Sequence, residues 1–191
     1  MSRKSDEVKK ALLDATVALL HETQDAALLT VRQIADRAQV NIAMINYYFT
    51  SKDELVNQAI DLVLKDAVEQ WLTVKEEDVD PTTRLINMLK QMADMVIQYY
   101  GYTKLSVTYQ LVKGDMSVPL YLLPLLKEIY PDRKGEEELR LAAFVLITST
   151  QAMLCRHEEF YKYSGFNAFD KKQRDSAIEL LIHQIMKGME R

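Results

Sequence analysis

Apolar residues recur at intervals of three and four along almost the whole chain, the period of an amphipathic helix. Val8, Leu12, Ala15 and Leu19 share one face of a segment from about Ser5 to His21, with polar residues opposite. Residues 22–29 read as a connector. Thr30 and Gln33 then have the spacing of a capping box, and Ile34 and Ala38 repeat along a short helix ending near Ala38 or Gln39. A third helix is predicted from about Ile42 to Phe49, with Asn41 as its cap because an Asn side chain accepts an orphan backbone N–H. Ser51 and Glu54 form a second capping box. They open a long fourth helix to about Val74, with Leu55, Ala59, Leu62 and Val63 inward and Trp71 near its end.

The charged stretch 75–81 ends in Pro81 and reads as a linker or corner. A fifth helix follows to about Tyr100, its stripe made of Leu85, Met88, Leu89, Met92, Met95, Val96 and Tyr99, with Gly101 expected to break it. Residues 102–113 form another helical segment, closed by Gly114 and Asp115. Pro119 and Pro124 punctuate a short apolar segment ending near Tyr130, and 131–135 is a turn. Glu136 opens a long helix to about Tyr163, ended by Ser164 and Gly165. Its portion 139–155 is apolar nearly all round, so it must be buried on more than one side. The last helix spans about Lys171 to Met189, with Ile178, Leu181, Ile182, Ile185 and Met189 on one face. No repeat or low-complexity segment interrupts this order.

Composition supports the pattern. Apolar residues make up 48% of the chain, enough for a sizeable core, and there are only five Gly and four Pro in 191 residues. The expected class is all-α, as one domain or a small module fused to a larger one. The net charge of −4 argues against a uniformly basic surface, but its distribution is uneven. Residues 1–52 carry seven Lys/Arg against six Asp/Glu, whereas 53–191 carry seventeen against twenty-two. Only the N-terminal end is suited to lie against phosphate.

Cys155 is the one cysteine, so no intramolecular disulfide forms, which fits a reducing cytoplasm. It reads as a small buried hydrophobe, with a redox sensor as the alternative. The first ten residues lack the apolar run of a signal peptide, and no stretch approaches about 18 uncharged apolar residues, so no membrane span is expected. His21, His157 and His183 lie far apart, without metal-ligand spacing. Nucleophile motifs and phosphate-cradling Gly-rich loops are also missing. The chain is therefore not expected to be an enzyme or to need a metal or cofactor.

The informative segment is 30–49. A short capped helix (TVRQIADRA), a three-residue turn (QVN) and a second short helix (IAMINYYF) form a helix-turn-helix pattern. Ile34, Ala35 and Val40 are apolar where two crossing helices must touch, and Ala35 and Ala38 are small enough for close approach. Ile45 and Phe49 anchor the second helix. That leaves Asn46, Tyr47 and Tyr48 outward, with Ile42, Ala43 and Met44 at its N-terminal tip. In such motifs the second helix enters the major groove, N-terminal residues first.

The stretch TVRQIADRAQVNIAMINYYFTSKDEL resembles the DNA-binding domain of TetR/AcrR regulators. The family pattern, T-x-x-x-I-A-x-x-A-G-V-S, a short helix ending Y-x-F, then x-S-K-x-x-L, is matched at Thr30, Ile34, Ala35, Ala38, Val40, Tyr47, Phe49, Ser51, Lys52 and Leu55. The likeness covers about fifty residues with the first helix included; beyond them the chain is similar only in length and helical layout. Gln39 departs from the pattern, standing where the family usually has Gly in the turn. If that position needs φ > 0, Gln costs roughly 1 kcal/mol there.

The resemblance implies a three-helix DNA-binding domain over 1–52 and a helical effector-binding and dimerisation domain over 53–191. It implies a homodimer on a double-stranded, near-palindromic operator, acting as a cytoplasmic repressor released by a small apolar or amphipathic effector. The alternatives are a corepressor-dependent regulator, an activator, or a dimeric adaptor of the same fold. Tyr47 is implied to reach the DNA backbone and neighbouring bases, with Tyr48 near phosphate. Asn46 stands where many members have Tyr; it either reads adenine through N6 and N7 or simply faces water. Ile42, Ala43 and Met44 offer apolar contact to thymine methyls. Lys52 opposes the dipole at the start of the fourth helix, which suggests a phosphate contact, and Thr30 and Arg32 are further phosphate candidates. Arg3, Lys4, Lys9 and Lys10 form a loose basic arm or ordinary solvated charge.

In the C-terminal part, Met88, Met92, Met95, Tyr99, Tyr109, Phe144 and Thr148 suit an adaptable apolar cavity, or ordinary core packing. The resemblance implies that the last two long helices pair with their symmetry mates in a four-helix interface. The all-round apolar character of 139–155 supports this independently.

Overall fold

A computed structural model describes residues 3–23, 25–73, 79–114, 116–131 and 133–190. The side chains of residues 3, 4 and 64–73 fall outside that description. Outside it therefore lie the Trp71 side chain, Val74 at the expected end of the fourth helix, the linker residues 75–78, Asp115, and the side chains of Arg3 and Lys4. The described residues form helices without a strand: α1 Arg3–Thr23, α2 Val31–Ala38, α3 Ala43–Tyr48, α4 Lys52–Thr73, α5 Pro81–Gln98, α6 Tyr100–Val112, α7 Ser117–Leu120, α8 Leu123–Ile129, α9 Glu136–Cys155, α10 His157–Ser164 and α11 Lys171–Met189. A 3-10 turn, Ala26–Leu28, lies between α1 and α2. The chain divides into two compact units, one of α1–α4 with α6, the other of α5 with α7–α11.

In the first unit, α1 packs on α2, α3 and α4, and α6 packs on α4 and the 3-10 turn. Leu12, Leu20, Leu29, Ile34, Ile45, Phe49, Leu55 and Ile60 are buried to 2% exposure or less. Removing each such side chain from water contributes roughly 1.5–3 kcal/mol. The α4 stripe differs from expectation. Leu55, Val56, Ala59 and Ile60 are buried, whereas Leu62 is exposed. The reason is that α4 is covered by both α1 and α6, which turns a wider face inward. That face includes Asn57, whose Oδ1 accepts a hydrogen bond of 2.7 Å from the buried Ser106 hydroxyl of α6. The pairing satisfies two groups that burial would otherwise penalise. Helix α4 begins at its expected cap: Ser51 Oγ accepts from the Glu54 N–H at 3.1 Å. The reciprocal arm reaches one residue further back, Glu54 accepting from the Thr50 N–H at 2.9 Å.

In the second unit, Leu85, Leu89 and Ala93 of α5 meet α8, α9 and α11 around Leu126, Leu139, Leu146, Ile147, Ile178 and Ile182. Two helix boundaries depart from expectation. Gly101 does not end a helix; the break falls at Tyr99, whose carbonyl accepts from the N–H groups of Tyr102 and Thr103 at 2.8 and 3.0 Å and so opens α6. The helix expected from Glu136 to Tyr163 is two helices, broken at Arg156 with φ −112° and ψ 37°. No Gly or Pro marks that bend. Gly165 ends α10 as expected, at φ 79°, a left-handed cap that suits a residue without Cβ. By length and apolar composition alone α9 could cross a membrane. Here Leu139, Ala143, Leu146, Ile147 and Leu154 put its inner face in the core, while Leu141 and Phe144 on the outer face are 62% and 40% exposed.

Buried Arg174 ties the second unit together. Its guanidinium donates to the Ala168 carbonyl at 2.8 Å and to Asp94 of α5. Lys171 reaches the same carboxylate at 2.5 Å. Partial burial pushes Asp94 up, but hydrogen bonds and charge from Lys171 and Arg174 outweigh it and hold the carboxyl below its ordinary range.

Candidate nucleic-acid interface

Local chemistry builds the α2–turn–α3 motif. Thr30 Oγ1 accepts from the Gln33 N–H at 3.3 Å, and Gln33 Oε1 accepts from the Thr30 N–H at 2.9 Å and its hydroxyl at 2.7 Å. The predicted capping box is thus complete, and it leaves Thr30 on the surface. Helix α2 stops because Gln39 turns left-handed, at φ 55° and ψ 40°. It is the one non-glycine residue with positive φ among the described residues. Its N–H still caps α2 through the Ala35 and Asp36 carbonyls. Asn41 then accepts from the Ala43 N–H at 2.8 Å and opens α3.

The six residues of α3 are oriented by their anchors. Ile45 and Phe49 are essentially fully buried. Tyr47, two residues past Ile45, is turned about 200° away from it, and it is 75% exposed. Asn46, Ile42 and Ala43 are also exposed. Met44 and Tyr48 are half-buried, not fully outward as expected, because they flank the anchored face. The Tyr48 ring meets Tyr47 edge to face, with centroids 4.9 Å apart, and limits its freedom.

Arg32 is exposed on α2, with Asp36 no closer than 3.9 Å. Lys9 of the basic arm lies over the Phe49 ring, 5.5 Å from its centre, so this cation braces α3 against α1. Lys52 is half-buried, and its ammonium donates to the Leu29 carbonyl at 3.0 Å. A pair missing from the sequence reading is Arg37 with Glu22, a two-pronged bridge of 2.6 and 3.3 Å between α2 and α1. Glu22's hydrogen bond and charge raise the Arg37 pKa. Fifteen residues separate the two, a distance at which helical periodicity carries no signal.

The C-terminal candidates do not gather in one unit. Met88, Met92, Met95, Phe144 and Thr148 belong to the second, Tyr99 and Tyr109 to the first. Met88 and Met92 pack against the core around α5. Tyr99 stacks on Tyr102 at 6.2 Å. Phe144 does not line the core; it lies with Leu141 on the outer face of α9, where Thr148 donates back to its carbonyl at 2.5 Å. Among the described residues no cluster of three or more His, Cys, Asp or Glu has metal-binding geometry. Cys155 is half-buried.

A family model described as the bacterial regulatory proteins of the tetR family matches residues 12–59. That span begins in α1 and ends in α4, so it contains the whole motif just described. Residues 12–59 are thus similar to the helix-turn-helix segment of tetR-family regulatory proteins. The fold is also similar to the crystal structure of a TetR transcriptional regulator from Rhodococcus sp. RHA1, with a TM-score of 0.57 over 97% of this chain and 98% of that one, at 16% identity. No curated protein sequence matches the chain. The matched segment includes α2, the turn at Gln39 and α3 in full.

Proposed function

We propose that this chain is a TetR-type regulator: a homodimeric, effector-released repressor of a near-palindromic operator, working in the bacterial cytoplasm. Residues 1–52 provide the DNA surface, and 53–191 the effector site and dimer contacts. The observation that carries the reading is the split on α3, where Ile45 and Phe49 are buried while Asn46 and Tyr47 face solvent. Such a helix is held rigidly and offers its free side to a groove. Two copies related by a two-fold axis would set these helices roughly 34–36 Å apart in successive major grooves. Tyr47, Thr30 and Arg32 supply backbone contacts. Asn46 supplies base readout, and exposed Ile42 and Ala43 approach thymine methyls.

Dimerisation is supported by the outer faces of α9 and α11, where Leu141, Phe144 and Leu180 are 62%, 40% and 49% exposed. Apolar side chains of that size on two neighbouring long helices suit a helical partner. For the effector, the half-buried Met88, Met92 and Met95 give an adjustable apolar wall. Helix α4 would carry an effector's influence to α2 and α3, with which it shares one compact unit. A coupling of about 1–3 kcal/mol would weaken operator binding roughly 5- to 150-fold.

Fluorescence anisotropy on duplex DNA across a salt series tests the DNA reading. Affinity falling steeply and log-linearly with salt supports it. An affinity independent of salt, or none at low salt, overturns it.

A further inference from the structure

We infer that Lys52 is a positioning residue that clamps the start of α2, rather than a phosphate contact; the inference rests on the DNA-binding reading above. Leu29 is buried and its backbone is extended, at φ −72° and ψ 132°. Its N–H closes the 3-10 turn on Ala26, while the first carbonyl used inside α2 belongs to Thr30, accepting from Ile34 at 3.2 Å. The Leu29 carbonyl therefore belongs to neither helix. Lys52 gives it a charged donor at 3.0 Å, from a half-buried side chain on the first residue of α4. The contact spans 23 residues of sequence and joins two helix starts.

Geometry also explains an otherwise unfavourable choice. A cation in the first turn of a helix opposes the helix dipole. Here the ammonium is directed at a carbonyl that lacks a ladder partner, and a charge-assisted hydrogen bond of this kind is stronger than a neutral one. Thr30, the N-cap of α2, is the next residue along. Fixing Leu29 fixes the height and direction at which Thr30 and Arg32 are offered. Lys52 thus acts on DNA binding through α2, with its charge engaged inside the protein.

Three chains test this: wild type, Lys52→Met and Lys52→Arg. The DNA probe is a duplex enriched by the wild-type chain from a random pool, titrated over a salt series. Lys52→Met is expected to weaken binding about tenfold with the slope of log K against log salt unchanged, and Lys52→Arg to recover most of the loss. Amide hydrogen exchange over residues 26–34, without DNA, is expected to quicken in Lys52→Met and return to the wild-type rate in Lys52→Arg. A slope shallower by about 0.9, the signature of one lost phosphate contact, with unchanged exchange would overturn the clamp. So would Lys52→Met behaving as wild type in both measurements. If the wild-type chain enriches no DNA, the regulator reading fails by itself, and the exchange rates still decide whether Lys52 holds the start of α2.

Discussion

Replacing Gln39 with Gly should stabilise the protein. Gln39 is left-handed, at φ 55° and ψ 40°, a region where a side chain's Cβ crowds the following carbonyl at a cost of about 1–2 kcal/mol. Gly removes that crowding but loses more backbone entropy on folding, about 0.5–1 kcal/mol. The net expected gain is about 0.5–1 kcal/mol. Little opposes it: the hydrogen bonds here come from the Gln39 N–H to Ala35 and Asp36, and Gly keeps them. Urea unfolding followed by circular dichroism measures the difference, with Gln39→Ala as the control. Alanine removes the same side-chain atoms beyond Cβ while retaining the crowding, so it should not stabilise. Gly and Ala giving the same stability, or Gly falling below the wild type, would refute the strain argument and mean that the Gln39 side chain contributes through contacts.

Further outcomes are expected elsewhere. Tyr47→Ala should weaken operator binding by roughly 1–2 kcal/mol, as loss of an exposed aromatic contact, with helicity and oligomeric state unchanged; unaltered affinity in an anisotropy titration would remove Tyr47 from the interface. Asp94→Asn should destabilise the chain by about 1–2 kcal/mol at neutral pH, a value reduced for a carboxylate more than a third exposed. Because the Asp94 pKa is lowered in the folded state, that stabilisation is complete above the ordinary Asp value of about 3.9 and disappears as pH falls through the folded value. Urea midpoints for both chains should therefore converge in acid, and a gap that widens there would contradict the ion-pair account. Leu141→Glu, at a site already 62% exposed, should leave the fold intact and shift sedimentation towards monomer; an unchanged dimer would move the interface off α9.

Much of the motif was legible because short-range rules fix it. Thr30 with Gln33, Asn41 before α3, and Ile45 with Phe49 are decided within a few residues of each other. The positive φ at Gln39 was anticipated only through the resemblance, whose pattern carries Gly at that point of the turn. Helix-to-helix choices were not readable. Leu62 was placed inward because α4 was judged as one stripe, whereas cover from both α1 and α6 rotates the buried face towards Val56 and Ile60. The bend at Arg156 has no Gly or Pro to announce it. Lys52 was read from the dipole it opposes, and its actual partner, Leu29, lies 23 residues away. Phe144 was grouped with cavity residues on composition, yet α9 turns it outward. Charge pairs such as Arg37 with Glu22 escape for the same reason: no local period connects them.

The central claim is that α3 reads a two-fold operator. Selection of duplexes from a random pool by the wild-type chain, at near-physiological salt and without added ligand, tests it most directly. The account predicts enrichment of a near-palindrome whose half-site centres are about one helical turn apart, with Asn46→Ala relaxing the preference at specific positions inside each half-site. Recovery of no site, or of one without two-fold symmetry, would contradict it.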